Sequence, residues 1–82
     1  MNTLRGLSDL LPFLDFLKDQ GVWYRIEHLR FDAIMVTITL VGERVEIDFF
    51  DDHIEYSRFK GDESVEDDQE VLFGLIAEFL RE

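Results

Sequence analysis

Asp48, Asp51, Asp52 and His53 crowd one short stretch and are the first place to look for chemistry. Carboxylate oxygens beside an imidazole suit Mg²⁺, Mn²⁺ or iron, so one reading is a divalent-metal-binding domain built on this Asp-rich turn. The spacing does not follow an EF-hand loop, and Asp is common in turns because its side chain bonds its own backbone. His28 and His53 are the two histidines, with no H-x-x-x-H or H-E-x-x-H pattern. His28 is expected at the border of the core, beside Ile34. Among the serines, Ser8 reads as a helix cap, Ser57 as a strand residue and Ser64 as part of an acidic loop. None stands in a G-x-S-x-G context.

Other chemistries drop out on composition. The chain has no Cys, which excludes disulfides, cysteine–zinc sites and thiol nucleophiles. A small secreted domain usually carries disulfide staples, so a reducing, cytoplasmic setting is expected. There is no glycine-rich phosphate loop and no long apolar segment at the N-terminus. Carboxylates are abundant, but acid–base catalysis needs a pocket that shifts a pKa. A two-layer domain of 82 residues has little room for one. The expectation is a protein that is not an enzyme and needs no cofactor.

Nineteen acids against eight bases give a net charge of −11. Such a surface repels nucleic-acid phosphates and anionic membranes and attracts basic proteins. The length fits one domain, residues 1–82. With 46% hydrophobic residues, eight of them Phe, a core is affordable, and the chain reads as globular and not disordered.

Periodicity then supplies the elements that must position these groups. Leu10, Leu14 and Leu17 recur at helical spacing over Leu7–Gln20, with Leu11, Phe13 and Phe16 widening the stripe. Ser8 or Asp9 is placed to cap the start, Pro12 is tolerable in the first turn, and Gly21 follows the end. From Val22 to Phe59 the period becomes two, in four runs, each with one apolar face. A two-residue turn at Gly42-Glu43 pairs Leu40 with Val45, Ile38 with Ile47 and Val36 with Phe49. One at Asp51-Asp52 pairs Phe49 with Ile54 and Ile47 with Tyr56. The first hairpin keeps its apolar face inward only with a three-residue loop, Arg30 to Asp32, or a bulge. Lys60 to Asp68 reads as an acidic connection, and Val71, Leu72, Leu75, Ile76 and Phe79 mark a second helix from Asp67 onward. The fold class is α+β, in two layers. A four-stranded antiparallel meander carries N- and C-terminal helices on one face, in the order α-β-β-β-β-α. The expected core is Leu10, Leu14, Leu17, Ile26, Ile34, Val36, Ile38, Ile47, Phe49, Ile54, Leu72, Leu75, Ile76 and Phe79.

The uncovered face then presents three rows: Arg25, Thr37, Asp48, Glu55; Trp23, Thr39, Glu46, Ser57; and Glu27, Met35, Phe50, His53. Trp23, Met35 and Phe50 would anchor a partner, while Arg25, Glu46, Asp48 and Glu55 would select its charge. Homodimerisation through this face is a further option if Arg25 or Arg58 meets the acids across a two-fold axis.

Asp32-Ala33-Ile34, Gly42-Glu43-Arg44, Phe49-Phe50-Asp51-Asp52 and the acidic stretch before the last helix resemble a widespread family of small, uncharacterised bacterial proteins. Some small acidic bacterial α+β proteins of this kind are similar to immunity proteins, which neutralise basic nuclease toxins through acidic surfaces. That resemblance implies a cytoplasmic protein-binding module that masks a basic partner. Frataxin-like proteins share the general plan but carry an acidic first helix, and this one is apolar. Secretion chaperones are acidic too, but are usually longer and place a helix within the strand order.

Overall fold

The first helix begins one turn later than its apolar stripe. Leu7–Asp9 form a short 3₁₀ turn and α1 runs Leu10–Asp19. Asp9 is the N-cap residue but its side chain does not cap the helix. It accepts instead from the Arg5 backbone N–H at 2.8 Å and from the Arg5 guanidinium at 3.1 Å. Pro12 lies in the first turn, where a missing N–H costs nothing. At the other end Gly21 adopts φ 72°, the left-handed conformation that glycine enters without penalty. Val22 N–H then bonds Leu17 C=O at 2.9 Å and Gly21 N–H bonds Lys18 C=O at 3.1 Å, closing the helix in a Schellman turn.

The structure, a computed structural model, describes residues 3–40, 43–59, 63–66 and 69–80. Its strands are β1 (Tyr24–Arg30), β2 (Ala33–Leu40), β3 (Glu43–Phe49), β4 (Ile54–Phe59) and β5 (Glu63–Glu66), followed by α2 (Gln69–Leu80). They pair antiparallel in sequence order. The α-β-β-β-β-α plan holds, and part of the acidic connection adds a short fifth strand on the outer side of β4. Residues 67 and 68, where the second helix was expected to begin, lie outside the described residues. Among the described residues no helix is long and apolar enough to cross a membrane.

The hairpins differ in how closely they follow the alternation. At Asp51-Asp52 the expected register is found, with Phe49 opposite Ile54 and Asp48 opposite Glu55. The first hairpin contains the expected irregularity, a register shift between Glu27 and Arg30 that keeps Ile26 opposite Val36. The second hairpin is displaced by two residues. Leu40 pairs with Glu43, Ile38 with Val45 and Val36 with Ile47, so the intervening pair is 41–42 and not Gly42-Glu43. A shift of two leaves every side chain on its own face, so hydrophobic alternation cannot distinguish the two registers.

Helix-facing residues of β2–β4 form the core: Val36, Ile38, Leu40, Val45, Ile47, Phe49, Ile54 and Tyr56, closed by Phe13, Leu14 and Leu17 of α1 and Leu72 and Ile76 of α2. Phe13 is its hub. Its ring lies 5.6 Å from Phe49, 6.3 Å from Phe16 and 6.3 Å from Phe73, so one side chain joins both helices to the sheet. Four expected core residues sit further out. Leu10 and Leu75 pack half-buried against the cluster, and Ile26 is exposed because the core is centred on β2–β4 and leaves β1 at its margin. Ile34 is also only half-buried, and the side chain of Phe79 lies outside the described residues.

Two features hold the N-terminal segment. Leu4 is buried, and its N–H donates to Gln69 Oε1 at 2.6 Å while Gln69 Nε2 donates back to Leu4 C=O at 2.7 Å. Two residues later the chain crosses the β3–β4 turn so closely that a Cβ on Gly6 would stand 2.6 Å from Phe50 O. Leu7 N–H bonds that same carbonyl at 2.8 Å.

Candidate functional site

The open face is set by the observed registers. The shift in the second hairpin changes its rows to Thr39, Arg44, Phe59; Arg25, Thr37, Glu46, Ser57; and Glu27, Met35, Asp48, Glu55. Met35, Asp48 and Glu55 therefore stand side by side, with Arg25 and Glu46 in the adjoining row. Trp23 precedes β1 and is strongly exposed, beyond the far side of the Arg25 row, beside a shallow depression that also involves Lys18, Gly21, Val22 and Tyr24. Phe50 is not an accessible anchor. It is 7% exposed, its ring stacks on His53 at 4.4 Å, and the Arg30 guanidinium lies 4.9 Å from it. Arg58 faces the helix side and forks onto Glu43 at 3.0 and 3.3 Å, so it does not meet the acids of the open face.

Charge is uneven across these rows. Arg44 pairs with Glu46 at 3.3 Å and lies over the Phe59 ring at 4.5 Å. Arg25 pairs with Glu27 at 3.0 Å. Around Asp48 acids dominate. Partial burial pushes its carboxyl up from the ordinary aspartate value; Arg30 opposes this, and Glu46, Glu55 and Asp32 reinforce it. Arg30 is itself held by Asp32 at 3.2 Å. Sequence reasoning placed Arg30 and Asp32 in the expected loop or bulge of the first hairpin but not beside Asp48, because alternation calls for the irregularity without saying where its side chains reach.

His53 organises the turn below. Its Nδ1 lies 2.7 Å from Asp52 Oδ1 and its Nε2 3.1 Å from Glu55 Oε2. As imidazolium it donates to both, which raises its pKa, chiefly through the Asp52 bond and then the Glu55 bond. The same bond to His53 lowers Asp52. The His53 contribution to stability is complete below the ordinary histidine value and is lost as pH rises through the raised one. The Asp52 contribution is present above the ordinary aspartate value and is lost as pH falls through the lowered one. Both ring nitrogens are thus committed to carboxylates. Among the described residues no three His, Asp or Glu side chains are grouped to hold a metal, so Asp48, Asp51, Asp52 and His53 do not form a ligand set. His28 is exposed in the β1 irregularity and not at the border of the core.

One polar group on this face is out of place. Thr37, at the centre of the sheet, is 3% exposed and its Oγ1 has no hydrogen-bond partner among the described residues. An unpaired buried hydroxyl costs free energy that an isosteric methyl does not. Thr37→Val is therefore expected to stabilise the chain by on the order of 1 kcal/mol in urea denaturation. A loss of stability instead would mean that the hydroxyl is satisfied in solution.

Compared with protein-family models, curated proteins and solved structures, the chain shows no match.

Proposed function

We propose that the chain is a protein-binding module that docks a basic partner on the acidic end of its open sheet face. The observation that carries this reading is Asp48. It lies opposite Glu55, among Glu46, Glu55 and Asp32, with its carboxyl raised by burial and by those acids. Like charges placed directly across a strand pair destabilise a sheet, and a cationic side chain laid over them would remove the penalty. Asp51 and Asp52 extend the patch onto the exposed turn, and Met35 gives it an apolar element. The narrower form of the reading is immunity-like, with a basic toxin as the partner. Size, charge and fold class support that form by analogy. The binding role is favoured over a catalytic one because both ring nitrogens of His53 are engaged by carboxylates of the same patch.

The sign of the Asp48 shift makes the reading testable. A carboxyl whose pKa is raised on folding binds its proton more tightly in the folded state, so its ionisation weakens the fold as pH rises. Asp48→Asn is expected to stabilise the chain at pH 7 by a few tenths of a kcal/mol, the scale of a cross-strand like-charge pair. The gain should vanish below the ordinary aspartate range. Affinity capture then compares the wild type, Asp48→Asn/Glu55→Gln, and Asp15→Asn/Asp19→Asn on the exposed side of α1, which alters charge equally. A basic protein retained by the wild type and the α1 variant but released by the sheet variant supports the proposal. Equal retention by all three removes the open face from the explanation.

A further inference from the structure

The outer edge of β1 has the properties of an interface. β1 is the first strand of the sheet, so β2 pairs only one of its edges. Along and beside it lie Trp23, 70% exposed, Ile26, 47%, Leu29, 71%, and Phe31, 96%. Residues 20–31 also contain a single acid, Glu27, against Arg25 and Arg30, in a chain with 19 acids and 8 bases. Two copies of so acidic a molecule meet less repulsion along this strip than across the acidic end of the open face.

We propose that this edge pairs with its own counterpart, two copies joining β1 to β1 antiparallel about a two-fold axis at Ile26. The register follows from charge and from the bulge. A two-fold axis normal to the sheet keeps both helical layers on one side and puts one residue opposite itself. Centred on Arg25 it sets arginine against arginine, and centred on Glu27 it sets glutamate against glutamate. Centred on Ile26 it sets Ile26 against Ile26, Tyr24 against His28, and Arg25 against the second copy's Glu27 twice over. Arg25 and Glu27 already bond within one strand at 3.0 Å, so the four side chains close into one network. The irregularity between Glu27 and Arg30 ends the regular ladder, so the stretch free to pair is itself centred near Ile26. Charged residues on an edge strand usually discourage pairing. Here one of each sign, two residues apart, is self-complementary in a single register.

The test is sedimentation equilibrium of the full chain at about 0.15 M salt, where a Debye length of ~8 Å screens the remote acids. The expected result is a monomer–dimer equilibrium that Arg25→Glu and Glu27→Arg each weaken at least tenfold. The double swap Arg25→Glu/Glu27→Arg should restore it. A monomer at every concentration overturns the proposal, as does a dimer indifferent to the single reversals. Assembly beyond the dimer that neither single reversal weakens also overturns it, since such assembly does not use this edge. If a single variant fails to fold by circular dichroism, amide exchange of the wild type decides. Protection of β1 that grows with concentration supports the pairing, and its absence overturns it.

Discussion

Gly6→Ala is expected to cost about 3 kcal/mol or more and to lower the thermal midpoint by at least ~12 °C. The reason is two-fold. Gly6 has φ 150°, a conformation that L side chains rarely adopt. Its added Cβ would also stand 2.6 Å from Phe50 O and 2.7 Å from Asp51 O. Those are backbone atoms of the β3–β4 turn and cannot rotate away. Relief would require lifting the N-terminal segment, breaking the Leu7–Phe50 bond and exposing Leu4. A chain of this length has a total stability of roughly 4–12 kcal/mol, so the loss is a large fraction of the whole. Thermal and urea denaturation followed by circular dichroism would measure it. A loss below about 1 kcal/mol would show that the segment lifts at little cost.

Phe13→Ala should act as strongly by a different route. Phe13 is fully buried and meets Phe16, Phe49 and Phe73, so its truncation empties the junction of α1, β3 and α2. Phe-to-Ala changes in cores cost about 3–5 kcal/mol through lost transfer energy and the cavity left behind. The expected signature is a lower urea midpoint with an unchanged slope. Phe13→Leu, which fills most of the volume, should cost less than half as much. Equal costs would mean that ring geometry, and not volume, holds the junction.

Phe13 also shows how much of the molecule could be read from its residues. The helical stripe included it, yet the expected core took Leu10, Leu14 and Leu17 from that helix and left Phe13 out. Spacing defines a face but not the point on that face where the sheet bears. The same limit applies in the strands. Alternation identified the inward residues of β2, β3 and β4, but could not separate registers two residues apart. Asp48 consequently faces Met35 instead of Thr37. Phe50 was legible as a large aromatic beside His53 but not as a covered one, because the stacking of the two rings and the Arg30 guanidinium laid over Phe50 are not written in the alternation. Gly6 gave no signal: a lone glycine before a helix has many uses, and only the close approach of another backbone singles this one out. The fifth strand lay hidden in an acidic stretch with little β propensity, where pairing with β4 outweighs composition.

The Leu4–Gln69 pairing bears on the order in which the molecule assembles. It joins residues 65 apart in the chain. Closing a loop of that length from the unfolded state costs roughly 4 kcal/mol of chain entropy by the logarithmic law. Its two hydrogen bonds return only about 1 kcal/mol each, so the contact cannot form ahead of its surroundings. The hairpins close short loops, and each new strand adds to the one just laid down. Once that meander exists, the ends have been brought together and most of the closure entropy has already been spent. Leu4 and Gln69 thus act as a latch on a finished sheet and not as a nucleus for it.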